Sequence, residues 1–179
     1  MATINIIQTN LLYTPVLKIP IYVGYYHNKV CFIELGPPNA KKLEEWAMVK
    51  AVERKYPGYS FSPDYNLHKD TNDEIIKMVD DSNSDNFNYP IIYLIGTPFQ
   101  KKVWKALTKI PRGETRTYAD IAEMVGSPNA VRAMGTAIGK NSHAVFIPCH
   151  RVIPKSGGIG QYKWGTDLKS TFLEIEKNA

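Results

Sequence analysis

The stretch DDSNSDNFNYP, residues 80–90, constrains the chain more than any other feature. Apart from Phe87 and Tyr89 it is built from the polar residues and proline that form turns and interrupt periodic segments. The sequence on its two sides has different textures. On the N-terminal side, PIYVGYYHNKVCFIELG (residues 20–36) reads as two extended runs rich in Tyr, Val, Phe and Ile around His27-Asn28-Lys29, a hairpin signal. With period two, Cys31, Ile33 and Leu35 share a face, so Cys31 reads as core. Residues 39–55 carry apolar positions near helical spacing without a breaker and predict a surface helix. From Tyr56 to Pro90 the chain reads as irregular, until the apolar run IIYLIG restores order. A boundary near residue 86 therefore divides the chain into 1–86 and 87–179.

At 179 residues the chain can bury a core without staples. Its two cysteines, Cys31 and Cys149, make neither a disulfide framework nor a repeated Cys/His spacing suited to zinc, so no metal is expected. No run of about 18 apolar residues is present, and MATINIIQTN lacks the pattern of a secretory signal. The expectation is an intracellular protein with no membrane partner. Charge is unevenly placed: residues 1–95 carry 9 Lys and Arg against 11 Asp and Glu, whereas residues 96–179 carry 13 against 6. A basic second half fits a polyanionic partner such as nucleic acid, or only a solubility device.

The second half is sharply punctuated. GTPFQKKVWKALTKIPRGE predicts a helix with Phe99, Val103, Ala106, Leu107 and Ile110 on one side, Trp104 beside that stripe, and Pro111 as its stop. Thr117 and Asp120 form a capping pair for YADIAEMV, which Gly126 ends; Ser127-Pro128 then offers an N-cap and first-turn proline for a further helix. This is a helix-turn-helix pattern. In the second helix, NAVRAMGTAIGK, Val131, Met134 and Ile138 form an inward stripe, while Arg132 stands opposite among Gly135, Thr136 and Gly139. Two glycines cost roughly 2 kcal/mol of helix propensity relative to alanine. Close approach of another backbone offsets that cost, whether of a neighbouring helix or of DNA.

After Asn141, the run Ala144–Ile147 reads as a short buried strand ended by Pro148, which mounts Cys149 at a fixed turn. His150 and Arg151 follow, giving positive surroundings that favour thiolate. On residue types alone Cys149 is a nucleophile, an inert filler or a metal ligand.

The blocks GTPFQKKVWKAL, IPRGETRTYADIA, GSPNAVRAMGTAIGKN, IPCHRVI and GGIGQYKWG, in this order and at these spacings, resemble the C-terminal domain of the O6-alkylguanine-DNA alkyltransferases, the methylated-DNA–protein-cysteine methyltransferases. The resemblance covers residues 92–177. It implies an α/β (α+β) chain with a ribonuclease-H-like N-terminal domain packed on a mostly helical C-terminal domain carrying a helix-turn-helix. It also implies a single-use S-methyltransferase that moves the alkyl group of O6-alkylguanine, and of O4-alkylthymine, from duplex DNA to Cys149, without a cofactor. A monomer is expected, cytoplasmic or, in a eukaryote, nuclear.

Residue by residue, the resemblance implies His150 as base through a water, Glu176 behind it, and Asn141 holding the active-site turn. Tyr162 is the implied donor to the guanine, with main-chain groups near Cys149 and Val152 at the base edge. Arg132 is implied to enter the stack through the minor groove, and Tyr118 to crowd the target phosphate and promote rotation of the nucleotide out of the duplex. Gly135 lets the helix approach, and Gln100, Ser127 and Arg151 are placed with the DNA contacts, Lys155 more weakly. Lys163 and the pair Ser142-His143 depart from relatives at the rim of the expected pocket. Three rivals are a lesion-binding relative without transfer, a major-groove regulator, and a cysteine hydrolase. Cys149 counts against the first, the small residues of the second helix against the second, and the basic half against the third.

Overall fold

The computed structural model describes residues 5–85 and 87–178. The chain forms two compact units. One takes the chain up to Asp80 together with Phe87–Ile95; the other takes the segment that begins at Asp81 and the chain from Gly96 onward. The boundary expected near residue 86 lies outside the described residues.

The first unit is a four-stranded sheet with two helices. Strands β1 (Asn5–Tyr13), β2 (Pro20–Tyr26), β3 (Lys29–Leu35) and β4 (Tyr59–Pro63) lie in the order β3-β2-β1-β4. The first three pair antiparallel and β4 runs parallel to β1, the order of a ribonuclease-H-like sheet. The β2–β3 hairpin turns on His27 and Asn28, both with positive φ (47° and 56°), as a two-residue primed turn requires. A parallel return needs a crossover, supplied by helix α1 (Lys42–Glu53). Ile7, Tyr22, Cys31, Phe32, Val52 and Tyr56 close one core cluster, which fixes Cys31 as filler.

The polar tract after Tyr56 is more ordered than its composition implies. It contains β4 and helix α2 (Lys69–Asp80), whose Thr71, Asn72, Ile75, Met78 and Val79 are buried at helical spacing beneath a charged outer face. The run IIYLIG, in contrast, makes a single bridge, Ile91 to Val30, and no strand.

The second unit is built around helices α3 (Pro98–Leu107), α4 (Tyr118–Met124), α5 (Val131–Gly139) and α6 (Thr166–Lys177). Helix α3 starts on a capping box between Thr97 and Gln100 and buries Val103, Ala106 and Leu107, with Ile110 just beyond it. Trp104 is also fully buried and donates from Nε1 to the Ala137 carbonyl (2.8 Å), tying α3 to α5. Helix α4 starts on the Thr117–Asp120 capping box, each side chain bonding the other's backbone N–H. It ends at Gly126 (φ +69°), where the N–H groups of Gly126 and Ser127 return to the carbonyls of Glu123 and Ala122.

Two local readings of this half need correction. Ser127 does not cap α5: the chain makes a further turn, with Ala130 N–H on the Ser127 carbonyl, and the helix starts at Val131 without a side-chain cap. The inward face of α5 is Met134, Ala137 and Ile138, while Val131, in the uncapped first turn, is 39% exposed.

Candidate active site

The reactive centre is assembled by a turn where a strand is expected. Ala144, Val145 and Ile147 are buried and Phe146 is half-buried, but the run is coiled: Val145 adopts φ +63°, Phe146 N–H bonds the Ala144 carbonyl (2.7 Å), and Ile147 N–H bonds the His143 carbonyl (2.9 Å). A short continuous apolar run has no periodicity that separates strand from turn. Pro148 follows, and Cys149–Arg151 form one turn of 3₁₀ helix that leads into strand β6 (Val152–Ile153). Strand β6 pairs parallel with β5 (Arg116–Thr117), which runs directly into Tyr118 at the head of α4. Backbone pairing thus ties the cysteine segment to the helix-turn-helix.

Asn141 organises this turn from a fully buried position. Its Oδ1 accepts from His143 N–H (2.8 Å), while Nδ2 donates to the Ile147 carbonyl (3.0 Å) and to Cys149 Sγ (3.2 Å). Next to Cys149, the His150 ring is buried against Phe172, with its Nε2 2.6 Å from Glu176 Oε1. Burial alone would raise the Glu176 carboxyl, but hydrogen bonds from His150 and Arg151 hold it down to about 2. Glu176 is therefore an acceptor, and the proton of the imidazole sits on Nε2. Nδ1 is left as a basic lone pair, buried and without a hydrogen-bond partner among the described residues. Burial also lowers the pKa of His150, more than Glu176 raises it, so the ring is neutral.

Burial pushes the Cys149 thiol up, outweighing the Asn141 bond and the nearby charges of Lys163 and Lys169. The resting pair is thus thiol and neutral imidazole, which corrects the expectation that positive neighbours favour a resting thiolate. The charge of Arg151 is consumed elsewhere. Its sequence placement with the DNA contacts is also corrected: it is 2% exposed, and its guanidinium bonds both Glu176 oxygens (3.0 Å each at best) and the Ile110 carbonyl (2.7 Å). The arginine locks α6 beneath the cysteine turn and is closed to an outside partner.

The remaining residues divide by location. Val152 is buried, and its carbonyl accepts from Lys169 Nζ (2.6 Å). Tyr162 stands edge-on to His150 and Trp164, with ring centres 6.4 and 5.2 Å apart. Lys163 donates to the Asn141 carbonyl and lies over Trp164. Ser142 and His143 are buried, so neither forms an open rim. Arg132, Gly135 and Gly139 are exposed on α5. A Cβ on Gly139 would touch nothing and one on Gly135 would make only ordinary contact with the Tyr118 ring (3.9 Å). Packing within the unit does not require either glycine. Gln100 spends its side chain on the α3 cap, and Ser127 is half-buried in the turn before α5.

Two residues escaped sequence reasoning. Lys169 is fully buried, donating to the carbonyls of Val152 and Gln161, and its signal is a lysine on the same helical face as Leu168, Phe172 and Glu176. Ser82 is also fully buried, on Glu176 and His150, and nothing in its loop-like surroundings distinguishes it.

These ionisations give stability a definite pH dependence. The folded pKa of Glu176 lies below its ordinary 4.5, so its contribution, about 3 kcal/mol, is present above 4.5 and lost as pH falls toward about 2. His150 is held neutral, so below its ordinary 6.5 the unfolded chain takes up a proton that the fold resists. Both signs agree. Denaturant titrations should show the second unit losing stability steadily from about pH 6.5 downward, and a flat profile between pH 6 and 3 would contradict this assignment.

Residues 98–178 match the family model described as 6-O-methylguanine DNA methyltransferase, DNA binding domain. The inducible methylated-DNA–protein-cysteine methyltransferase of Bacillus subtilis (strain 168) is 39% identical over 139 residues, covering 78% of this chain and 74% of that protein. The chain belongs to the methylated-DNA–protein-cysteine methyltransferase family. The methyltransferase of Mycobacterium leprae (strain TN) is 53% identical over 85 residues, 48% of this chain and 52% of that protein. Among solved structures, the OGT protein of Mycobacterium tuberculosis in complex with DNA is 28% identical with a TM-score of 0.73, covering 97% of this chain and 93% of that one. Similarity to the methyltransferases thus extends through both units in fold and is densest in the unit holding Cys149. Among the described residues, no helix is long and apolar enough to cross a membrane.

Proposed function

We propose that the protein repairs DNA directly, by moving the alkyl group, chiefly methyl, from the O6 of guanine in duplex DNA to Cys149 Sγ, with O4-alkylthymine as a second lesion. One observation carries the reading. A buried thiol held by Asn141 adjoins a neutral histidine whose Nε2–H is committed to Glu176 and whose Nδ1 is unoccupied. In this scheme a water between the two carries the thiol proton to Nδ1. Sulfur then attacks the alkyl carbon, the carbon–oxygen bond breaks, and guanine leaves as an anion that takes a proton from a donor, for which Tyr162 is the candidate. The imidazolium formed is stabilised by the Glu176 carboxylate, as in other base–orienter pairs. No metal or organic cofactor enters this scheme.

The product is a thioether, which water does not cleave, so each chain acts once. An acyl-enzyme would instead be hydrolysed and the cysteine returned. Repaired lesion titrated against protein should level off at one per chain. Continued turnover would contradict the proposal and favour a cysteine hydrolase.

The target atom lies inside the stack, and turning the nucleotide out costs a few kcal/mol. Exposed Arg132, flanked by glycines that internal packing does not need, suits insertion through the minor groove. Arg132→Ala should slow transfer from duplex DNA by about tenfold or more while leaving reaction with free O6-benzylguanine within about twofold, on the scale of the unstacking energy it offsets. Equal losses on both substrates would remove that role.

A further inference from the structure

Ser82 stands outside the blocks that carry the family resemblance and outside residues 98–178, yet it reaches the centre of the site. It belongs to the segment beginning at Asp81, which joins the second unit ahead of the rest of that unit's sequence. Its side chain is fully buried. Oγ donates to Glu176 Oε1 (2.9 Å) and lies 3.4 Å from His150 Nε2. The backbone holding it there has φ +47°, a conformation that disfavours a serine and is kept only where the surroundings impose it. The segment is fastened next to it by Arg112, whose Nη2 donates to the Asp81 carbonyl (2.7 Å).

We infer that Ser82 is a positioning residue of the His150–Glu176 pair, fixing the carboxylate oxygen that orients the imidazole and thereby setting the basicity of the ring. Its contribution to alkyl transfer rests on the function proposed above; its effect on the ring does not. Glu176 Oε1 accepts from His150, from Arg151 and from Ser82. The hydroxyl withdraws charge from that oxygen and limits its rotation. Without it, the carboxylate, still bonded through both oxygens by Arg151 and at Oε2 by the Gly113 N–H, concentrates its charge on the imidazole N–H, and Oε1 loses its restraint on the His150 side. His150 then becomes more basic and less well oriented. The charged and titratable groups that act on this ring are Glu176, Arg151 and Lys169, with the Cys149 thiol adjacent in the chain; Phe172 and Tyr162 present rings.

Three full-length variants separate hydroxyl from backbone. Ser82→Ala removes the hydroxyl and keeps the disfavoured φ. Ser82→Gly removes the hydroxyl and relieves the φ, and Ser82→Thr keeps the hydroxyl while its branched Cβ adds strain at that φ. NMR titration of the His150 ring in the DNA-free protein should show an upward shift in both Ser82→Ala and Ser82→Gly and a titration close to the parent's in Ser82→Thr. Methyl transfer at saturating lesion DNA should fall about tenfold in the first two, the scale of one charge-assisted hydrogen bond, with the acidic limb of the pH–rate profile moving upward. A parent-like His150 titration in both Ser82→Ala and Ser82→Gly overturns the inference, as does a parent-like rate and profile in both where the parent transfers methyl. If the parent protein itself transfers no methyl, the proposed function fails, while the ring titration still decides the role of Ser82.

Discussion

Cys149→Ser should transfer no measurable methyl from O6-methylguanine DNA and should still bind that DNA as tightly as the parent. A hydroxyl in this buried site stays protonated at any accessible pH, and its oxygen is a poor nucleophile toward an alkyl carbon. The thiol starts from a raised pKa, but it needs only to pass its proton to a neutral imidazole at the moment of attack. Removing a nucleophile from such a unit costs on the order of 10⁴-fold or more in rate. The fold has little stake in the sulfur: serine retains an atom able to accept from Asn141 Nδ2, so unfolding should shift by no more than about 1 kcal/mol. Transfer that persisted in this variant, or a label found on another residue, would remove Cys149 from the chemistry.

The second large effect falls on Glu176 and is one of stability as well as rate. Its carboxylate is the only carboxylate bonded to Arg151 among the described residues, and Arg151 is 2% exposed. Truncating one partner of a buried pair leaves the other charge uncompensated, at a cost of about 3–5 kcal/mol. Set against a usual total of 5–15 kcal/mol, Glu176→Ala should lower the melting temperature by roughly 10 °C or more. It should also slow transfer, because the imidazole loses the acceptor that keeps its proton on Nε2. The double variant Glu176→Leu with Arg151→Met should regain only the part of the loss that comes from the unpaired Arg151 charge, because Ser82, His150 and the Gly113 N–H still lose their acceptor, and it should regain none of the rate. A Glu176→Ala protein melting within a degree or two of the parent would mean that the pair carries little of the fold.

How far the sequence reaches follows from how local each determinant is. The α4 cap was legible because Thr117, Asp120 and Gly126 act within one or two turns of each other. The hairpin at His27-Asn28 was legible for the same reason. Helix α2 was not, because its buried residues are separated by charged ones whose outward face dominates the composition. Helix α5 starts a turn later than its sequence suggests, because Ser127 has the chemistry of a cap but spends its carbonyl on an extra turn.

At the site, Cys149 and His150 are adjacent and Asn141 is eight residues earlier, in the neighbouring block, so all three fall within one short stretch of chain. The fate of Arg151 depends on Glu176, 25 positions further along the chain, and no spacing rule distinguishes an arginine that meets DNA from one that meets a buried carboxylate. Ser82 is further away still, 94 positions from Glu176. Only the folded chain brings it to the ring.

The most direct test of Cys149 as acceptor is the mass of one peptide. Trypsin releases NSHAVFIPCHR, residues 141–151, between Lys140 and Val152. After incubation with an excess of duplex DNA containing O6-methylguanine, this peptide should be heavier by one methyl group, with the amount of methylated peptide equal to the amount of guanine restored. An unmodified peptide alongside repaired or tightly bound DNA would contradict the account.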